Sequence, residues 1–446
     1  MINQSKFFTA ITDATPFHFK GYNLLKLFYS KQLTAAVFSK QEGWKVDPQS
    51  KIVKAWHLFW QGLILFIKAY QLGRLKDNML PILFYGASGR HFEIDGATYD
   101  PYNTNIVGVW ERQQVVILER KDTGIAKQYP ANLYMEGLHF WGVILCHLLT
   151  WFPVANNFQV FGRRLAAAFP HLNLTPSQSA RIVAGFYSKF LLYGILLDLL
   201  KPSQIILICH YSKEAFIAAC KARNIPVTEL MHGIITPHHP QYNFPAADRA
   251  LMGNHLFPDR LLVYGEYWKN VVAKGHFLPW SQIQIIGYYL KVPPIPDKKP
   301  INDKTILLIT GQPTVQNALI TYLMFLKQNL DPDTWQIIIK PHPKENAAGY
   351  VHLVEKDFVR VTMANTYNLL TQTDIHIGVY SSVVFEASRY SLSNYTLLVE
   401  PYLAHCREIV ESGVARPLQP NELPQNYQPN PTLANHYFAP FNPTVL

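Results

Sequence analysis

The chain has 446 residues, too many for one ordinary hydrophobic core and enough for two domains of roughly 150 to 250 residues. With 49% hydrophobic and 16% charged residues it is too apolar for disorder and rich enough to bury a large interior. Forty Lys and Arg against 30 Asp and Glu give a formal charge of +10, which suits an anionic partner. No basic tail and no zinc-finger, RRM or helix-turn-helix signature accompanies that charge, so nucleic acid is not the expected partner.

Residues 22–75 are helical in period, and PILFYG (81–86) and QQVVILER (113–120) read as β segments. The intervening GASGRHFEIDG lacks GxGxxG spacing and reads as a loop. Two apolar stretches, AWHLFWQGLILFIKAY (55–70) and FWGVILCHLLTWFPV (140–154), fall short of the ~18 to 20 uninterrupted apolar residues of a membrane span. Core helices are expected there, with peripheral contact on the inner face of the cell membrane as the alternative that their Trp, Phe and Lys content supports. Residues 1–170 are the least legible part of the chain.

The pattern sharpens after residue 175. SQSARIVAGFYSKFLLYGILLDLLKP predicts a helix ended by Lys201-Pro202, and QIILICHY a buried strand. SKEAFIAACKARN predicts an amphipathic helix and VTELMHG a second strand, so the order is that of a right-handed βαβ unit with a parallel sheet. KVPPIPDKKPINDK (291–304) is rich in Pro and charge and reads as an interdomain linker. It divides an N-terminal α/β domain, 1–290, from a C-terminal one, 305–446. The second domain alternates again: TILLIT, a helix over 315–329, WQIIIKPHP, FVRVT, TYNLLTQT, DIHIGVYSS, VVFEASRYS and YTLLVE. The expected class is α/β, with two Rossmann-like domains.

The four cysteines lack CxxC spacing, which argues against a zinc site or disulfide scaffold and for a reducing compartment. The N-terminus lacks a basic region followed by an apolar run, so a cytoplasmic location is expected. In an open parallel sheet, ligands sit beyond the carboxyl ends of the strands, and three motifs fall at such ends. Tyr380-Ser381-Ser382 turns a strand into a helix, where backbone N–H groups and hydroxyls suit a nucleotide phosphate; Glu386, one turn on, is placed to reach a ribose. Plain N-capping by the serines is the competing reading. Lys340-Pro341-His342-Pro343-Lys344 follows a buried strand and offers cations on a proline-stiffened turn, suited to a leaving phosphate. Glu229-Leu230-Met231-His232-Gly233 offers two candidate bases, Glu229 and His232, which strand alternation would send to opposite faces. His232, His238 and His239 lack a carboxylate or Cys framework, so no metal site is expected. Gly311 and Gln312, after TILLIT, suit a close backbone approach to phosphate or base.

The ELMHG, KPHP and YSSVVFEA motifs, in this order, resemble those of bacterial surface-polysaccharide (capsule or O-antigen) glycosyltransferases of the GT-B class, over about residues 205–417. The His-Pro and Ser-Ser pair is similar to that of bacterial sialyltransferases and polysialyltransferases, and to that of CDP-glycerol transferases. The resemblance implies two Rossmann-like domains facing a central cleft, with transfer of a sugar, first of all a nonulosonic acid from a CMP-linked donor. The acceptor it implies is a bacterial surface glycan, free or lipid-linked. It makes His342, Ser381 and Ser382 phosphate ligands and His232 or Glu229 the base, without a metal or other cofactor. The Asp/Glu-Asp/Glu-Gly motif of many sialyltransferases is not found in clear form. The alternatives are a UDP- or CDP-linked donor, a sugar-nucleotide epimerase, or a non-catalytic subunit of capsule assembly.

Overall fold

The computed structural model describes residues 17–30, 51–74, 82–86, 92–94, 97–110, 114–119, 129–151, 156–168, 175–237, 239–295, 303–343 and 345–446. The chain forms two compact units: Met1–Val263, Lys269–Ile285 and Pro443–Leu446 make unit 1, and Tyr264–Trp268 and Ile286–Asn442 make unit 2.

Unit 1 holds a sheet of seven described strands: β1 (Ile82–Tyr85), β2 (Val115–Glu119), β3 (Leu133–Tyr134), β4 (Gln204–Ile208), β5 (Val227–Leu230), β6 (Arg260–Val263) and β7 (Ile283–Ile285). Their order is β7-β6-β5-β4-β1-β2-β3, and every neighbouring pair is parallel. This is the 3-2-1-4-5-6 Rossmann order with one strand added. The runs ILFY and VVILE are buried at every position, as a strand covered on both faces requires. Unit 1 also contains the long helices α1 (Lys51–Arg74), α2 (Glu136–Trp151) and α4 (Pro176–Leu200), with α3 (Asn156–Ala168) between the last two. A capping box between Thr175 and Gln178 starts α4, and Lys201 in the left-handed region ends it. Helices α1 and α2 meet at paired glycines: a Cβ on Gly137 would lie 2.1 Å from the Gly62 nitrogen. Within residues 22–75 the described segments are a two-residue strand, Tyr22–Asn23, a helix over 25–30, and α1. Phe92–Ile94 and Ala97–Tyr99, which fall partly in the expected loop, pair as an antiparallel ribbon.

Unit 2 holds six described strands, all parallel: β8 (Thr305–Thr310), β9 (Trp335–Lys340), β10 (Val359–Val361), β11 (Ile375–Gly378), β12 (Ser393–Leu397) and β13 (Arg416–Leu418). Their order, β10-β9-β8-β11-β12-β13, is again 3-2-1-4-5-6. The boundary differs from the expected one. The main segment of unit 2 begins at Ile286 rather than after a linker, because Tyr288 N–H donates to Ala439 O (2.8 Å) and Asn442 N–H to Ile286 O (2.8 Å). Residues 291–295 therefore belong to unit 2, and residues 296–302 of the expected linker lie outside the described residues. The last four residues belong to unit 1, where the Arg260 guanidinium donates to the carbonyls of Val445 and Leu446 at 2.9 Å each.

One buried histidine ties the middle of the unit 2 sheet together. Asn394 Nδ2 donates to the carbonyls of Val384 (2.6 Å) and Val414 (2.9 Å), so its Oδ1 accepts from His376 Nδ1 (2.7 Å). His376 Nε2 then accepts from Thr310 Oγ1, 3.0 Å away. The ring is neutral, and burial lowers its pKa to about 4. Because the unfolded chain takes up this proton more readily, the contribution is complete above pH ~6.5 and is lost as pH falls towards ~4, by on the order of 3 kcal/mol. Urea unfolding at pH ~7 and ~4.5 should show a smaller acid loss for His376→Gln than for the unaltered chain; equal losses would contradict the assignment.

Candidate functional site

In unit 2 the switch point of the strand order lies between β8 and β11, with β9 on the other side of β8. Adjacent strands lie ~4.8 Å apart, so the ends of β9 and β11 stand ~10 Å apart with β8 between them. Gly311-Gln312, Pro341-His342 and Val379-Tyr380-Ser381 thus emerge along one edge. They are joined there. Gly311 N–H donates to Lys340 O (2.8 Å), and the Tyr380 hydroxyl engages the side chains of Thr314 and Gln312. Gly311 has no room for a side chain: a Cβ would lie 2.1 Å from Glu345 Oε2 and 3.0 Å from the His342 nitrogen.

Ser381 caps the helix α5 (Ser382–Ala387) by position only. Its side chain makes no capping bond, and its Oγ is buried without a hydrogen-bond partner. An unmet buried hydroxyl costs about 1–3 kcal/mol, which a ligand oxygen in reach would recover. Beside it the Tyr380 ring stacks on Tyr402, centroids 4.6 Å apart, with His405 at 5.8 Å.

Two expected ligands sit differently from their sequence reading. Lys340 is buried at the end of β9, its Nζ donating to Pro341 O (3.0 Å), and burial lowers its pKa against the opposing pull of Glu345. It is not a cation displayed on the turn, because the strand holds it in the interior; Lys344 lies outside the described residues. Glu345 organises the turn instead, accepting from His342 N–H (2.8 Å) and the Tyr350 hydroxyl (2.5 Å). The His342 backbone N–H is therefore engaged by Glu345. Pro343 follows His342 in the exposed turn. Glu386, expected at a ribose, is held by the hydroxyls of Tyr367 (3.1 Å) and Tyr288 (3.5 Å).

At the carboxyl edge of unit 1, strand alternation does not separate Glu229 from His232, because β5 ends at Leu230. Glu229 is fully buried, with no face towards an acceptor. Its carboxylate accepts from His210 N–H (3.0 Å), His210 Nδ1 (2.9 Å) and the Tyr242 hydroxyl (2.6 Å). Burial alone would raise its pKa, but the His210 contacts and the Tyr242 bond outweigh it and hold the carboxyl ionised. The Lys26 ammonium, also fully buried, donates to Leu256 O (2.6 Å), lies 4.1 Å from the Phe257 ring centre and is attracted to Glu214 and Glu229. Burial lowers the Lys26 pKa to about 8. Glu229 is thus a buried holder of His210 rather than an acceptor-facing base. His232 is half-buried on the loop, 2.6 Å through Nε2 from the Tyr211 hydroxyl, and its carbonyl accepts from Tyr102 (2.7 Å). Tyr211 belongs to the turn after β4, in which Cys209 (φ 63°) and Ser212 (φ 65°) take left-handed conformations that cost non-glycine residues energy.

His210, Tyr211 and Tyr242 were not singled out by the sequence reading, although CHY directly follows the buried run QIILI, where a parallel strand delivers its side chains. Among the described residues, no group of three or more His, Cys, Asp or Glu side chains is placed to hold a metal ion. His238 lies outside the described residues.

No family model matches the chain, and no curated protein matches it. Solved structures with a similar chain path include the glycotransferase of kitacinnamycin, with 10% identity over 81% of this chain and 90% of that one and a TM-score of 0.43. MurG of Acinetobacter baumannii has 12% identity over 82% and 92%, TM-score 0.42. UDP-GlcNAc 2-epimerase from Neisseria meningitidis, bound to UDP-GlcNAc, has 13% identity over 76% and 88%, TM-score 0.41. Likeness at this distance transfers no activity.

Two substitutions test these arrangements. Gly311→Ala should lower stability by about 1–3 kcal/mol in thermal unfolding, whereas Gly233→Ala, whose added carbon meets nothing within 4 Å, should be near neutral. Lys26→Met leaves Glu214 and Glu229 buried without their cation and should cost about 3–5 kcal/mol by urea unfolding. A change below ~1 kcal/mol would show that the cation is not compensating them.

Proposed function

We propose that the chain is a nucleotide-sugar-dependent glycosyltransferase and that unit 2 takes the nucleotide of the donor along the edge formed by β9, β8 and β11. The observation that carries this reading is the partnerless Ser381 Oγ, buried at the switch point of a Rossmann-ordered sheet. Ser381 Oγ–H and the His342 imidazole are the proposed donors to phosphate oxygens, with Ser382 beside them. Gly311 and Gln312 line the approach, and the stacked Tyr380 and Tyr402 offer an aromatic face to a base.

His232, oriented by Tyr211, is the proposed base. It takes the proton of an acceptor hydroxyl, the oxygen bonds to the anomeric carbon, and the nucleotide leaves with the electron pair of the broken C–O bond. Charge developing on the leaving phosphate is met by hydrogen-bond donors of the chain, and no metal is required. The most specific form of the proposal is a CMP-linked nonulosonic acid as donor and a bacterial surface glycan, free or lipid-linked, as acceptor, on the cytoplasmic side. It is supported by the likeness of the His-Pro and Ser-Ser pair to sialyltransferases.

Thermal unfolding with CMP, CDP, UDP and GDP tests the donor assignment. CMP should stabilise selectively, by ~2.7 kcal/mol at 100 times its Kd, and Ser381→Ala and His342→Ala should abolish the shift. His232→Ala should keep the shift and lower acceptor-dependent release of CMP from a CMP-linked sugar by about 10²–10⁴-fold. No response to any nucleotide, or equal responses in the Ser381 and His342 variants, would refute the site; conversion of the donor sugar without acceptor would replace transfer by epimerisation.

A further inference from the structure

Helix α1 is apolar on two sides. Its inner side, with Gly62, Leu65 and Ala69 buried, packs within unit 1: Phe59 stacks on Trp141 at 4.8 Å, and a Cβ on Gly73 would lie 2.0 Å from Leu199 O. Its outer side carries Trp56 (64% exposed), Trp60 (43%), Leu63 (37%), Ile64 (47%) and Ile67 (48%). The spacing i, i+4, i+7, i+8, i+11 makes these one stripe about three turns long. A soluble surface does not ordinarily leave such a stripe in water, and contiguous exposed apolar surface marks a docking face.

The charges around the stripe choose its occupant. The helix sequence KIVKAWHLFWQGLILFIKAYQLGR contains four Lys or Arg and no Asp or Glu. Lys68 and Arg74 are exposed at the C-terminal end of the stripe, beside an exposed Tyr70 whose hydroxyl accepts from Arg74 (3.1 Å). Tryptophans among aliphatic side chains, with cations and a tyrosine at the margin, match the boundary between acyl chains and anionic headgroups. There indoles and phenols sit at headgroup depth and ammonium groups reach the phosphates. Each cation near an anionic surface adds an attraction that salt screens. A protein partner would instead be met by charges of both signs around the apolar centre.

We infer that α1 lies flat on an anionic phospholipid bilayer, with Trp56, Trp60, Ile64 and Ile67 entering the headgroup boundary and Lys68 and Arg74 contacting lipid phosphates. The inference is independent of the nucleotide chemistry of unit 2. It places unit 1 at a membrane surface, where a lipid-linked glycan is within reach.

Co-sedimentation of the full chain with vesicles tests it. The unaltered chain should partition onto phosphatidylcholine vesicles containing phosphatidylglycerol at least ten-fold better than onto phosphatidylcholine alone, and salt should weaken the difference. Ile64→Glu with Ile67→Glu should reduce partition to both vesicle types at least ten-fold; Lys68→Glu with Arg74→Glu should remove the anionic preference. These positions are exposed, so the variants should keep the circular dichroism and melting temperature of the unaltered chain. Unchanged partition in the Ile64/Ile67 variant overturns the proposal. So does a chain that ignores vesicles but is a dimer by light scattering and becomes monomeric in that variant, which would make a second copy the occupant.

Discussion

Three parallel strands of unit 2 end side by side, and the middle one is followed directly by a residue with no room for a side chain. The Gly311 backbone fits against the His342 nitrogen and the Glu345 carboxylate only because it lacks a Cβ. That close approach brings the His342 turn against the end of β8, while Tyr380, reaching Thr314 and Gln312, fastens β11 from the other side. The Ser381 hydroxyl is left inside this edge with no partner of its own. Backbone packing, rather than a cluster of charges, shapes the edge proposed to take the nucleotide.

Unit 1 uses the same strand order for a different electrostatic solution. A carboxylate, an imidazole, a phenol and an ammonium are withdrawn from solvent at the ends of β4 and β5, and the Lys26 charge offsets those of Glu214 and Glu229. Such a cluster is a poor source of net stability but a strict constraint on geometry, since each member is costly to leave alone. Here it fixes the turn carrying Tyr211, and Tyr211 in turn holds His232. Glu229 reaches His232 only through this chain of contacts.

The strands that were legible in the sequence are those buried on both faces, such as QIILI, TILLIT and WQIIIK, because a continuous apolar run bounded by turn residues has few other uses. β7 escaped notice because it has only three residues at a sheet edge, with Gln284 exposed. The positions of His342, Ser381 and Ser382 followed from their being at strand ends, which local sequence reveals. Side-chain fates did not follow: that Glu229 is enclosed depends on residues distant in sequence, His210, Tyr242 and Lys26 among them. The domain boundary was misplaced for a similar reason, since the prolines after Lys291 read as a break while Tyr288 is bonded to Ala439, some 150 residues later in the chain. The sequence places its chemistry-bearing residues at the strand ends; long-range packing decides which of them remain available.

The central claim is that a nucleotide occupies the carboxyl edge of the unit 2 sheet around Gly311. Hydrogen–deuterium exchange on the full chain, with and without saturating CMP, tests it most directly. The account predicts slower exchange in the peptides spanning residues 311–316, 341–346 and 379–386, with the loop at 209–213 of unit 1 unaffected. Protection confined to other segments, or none under conditions of proven binding, would contradict it.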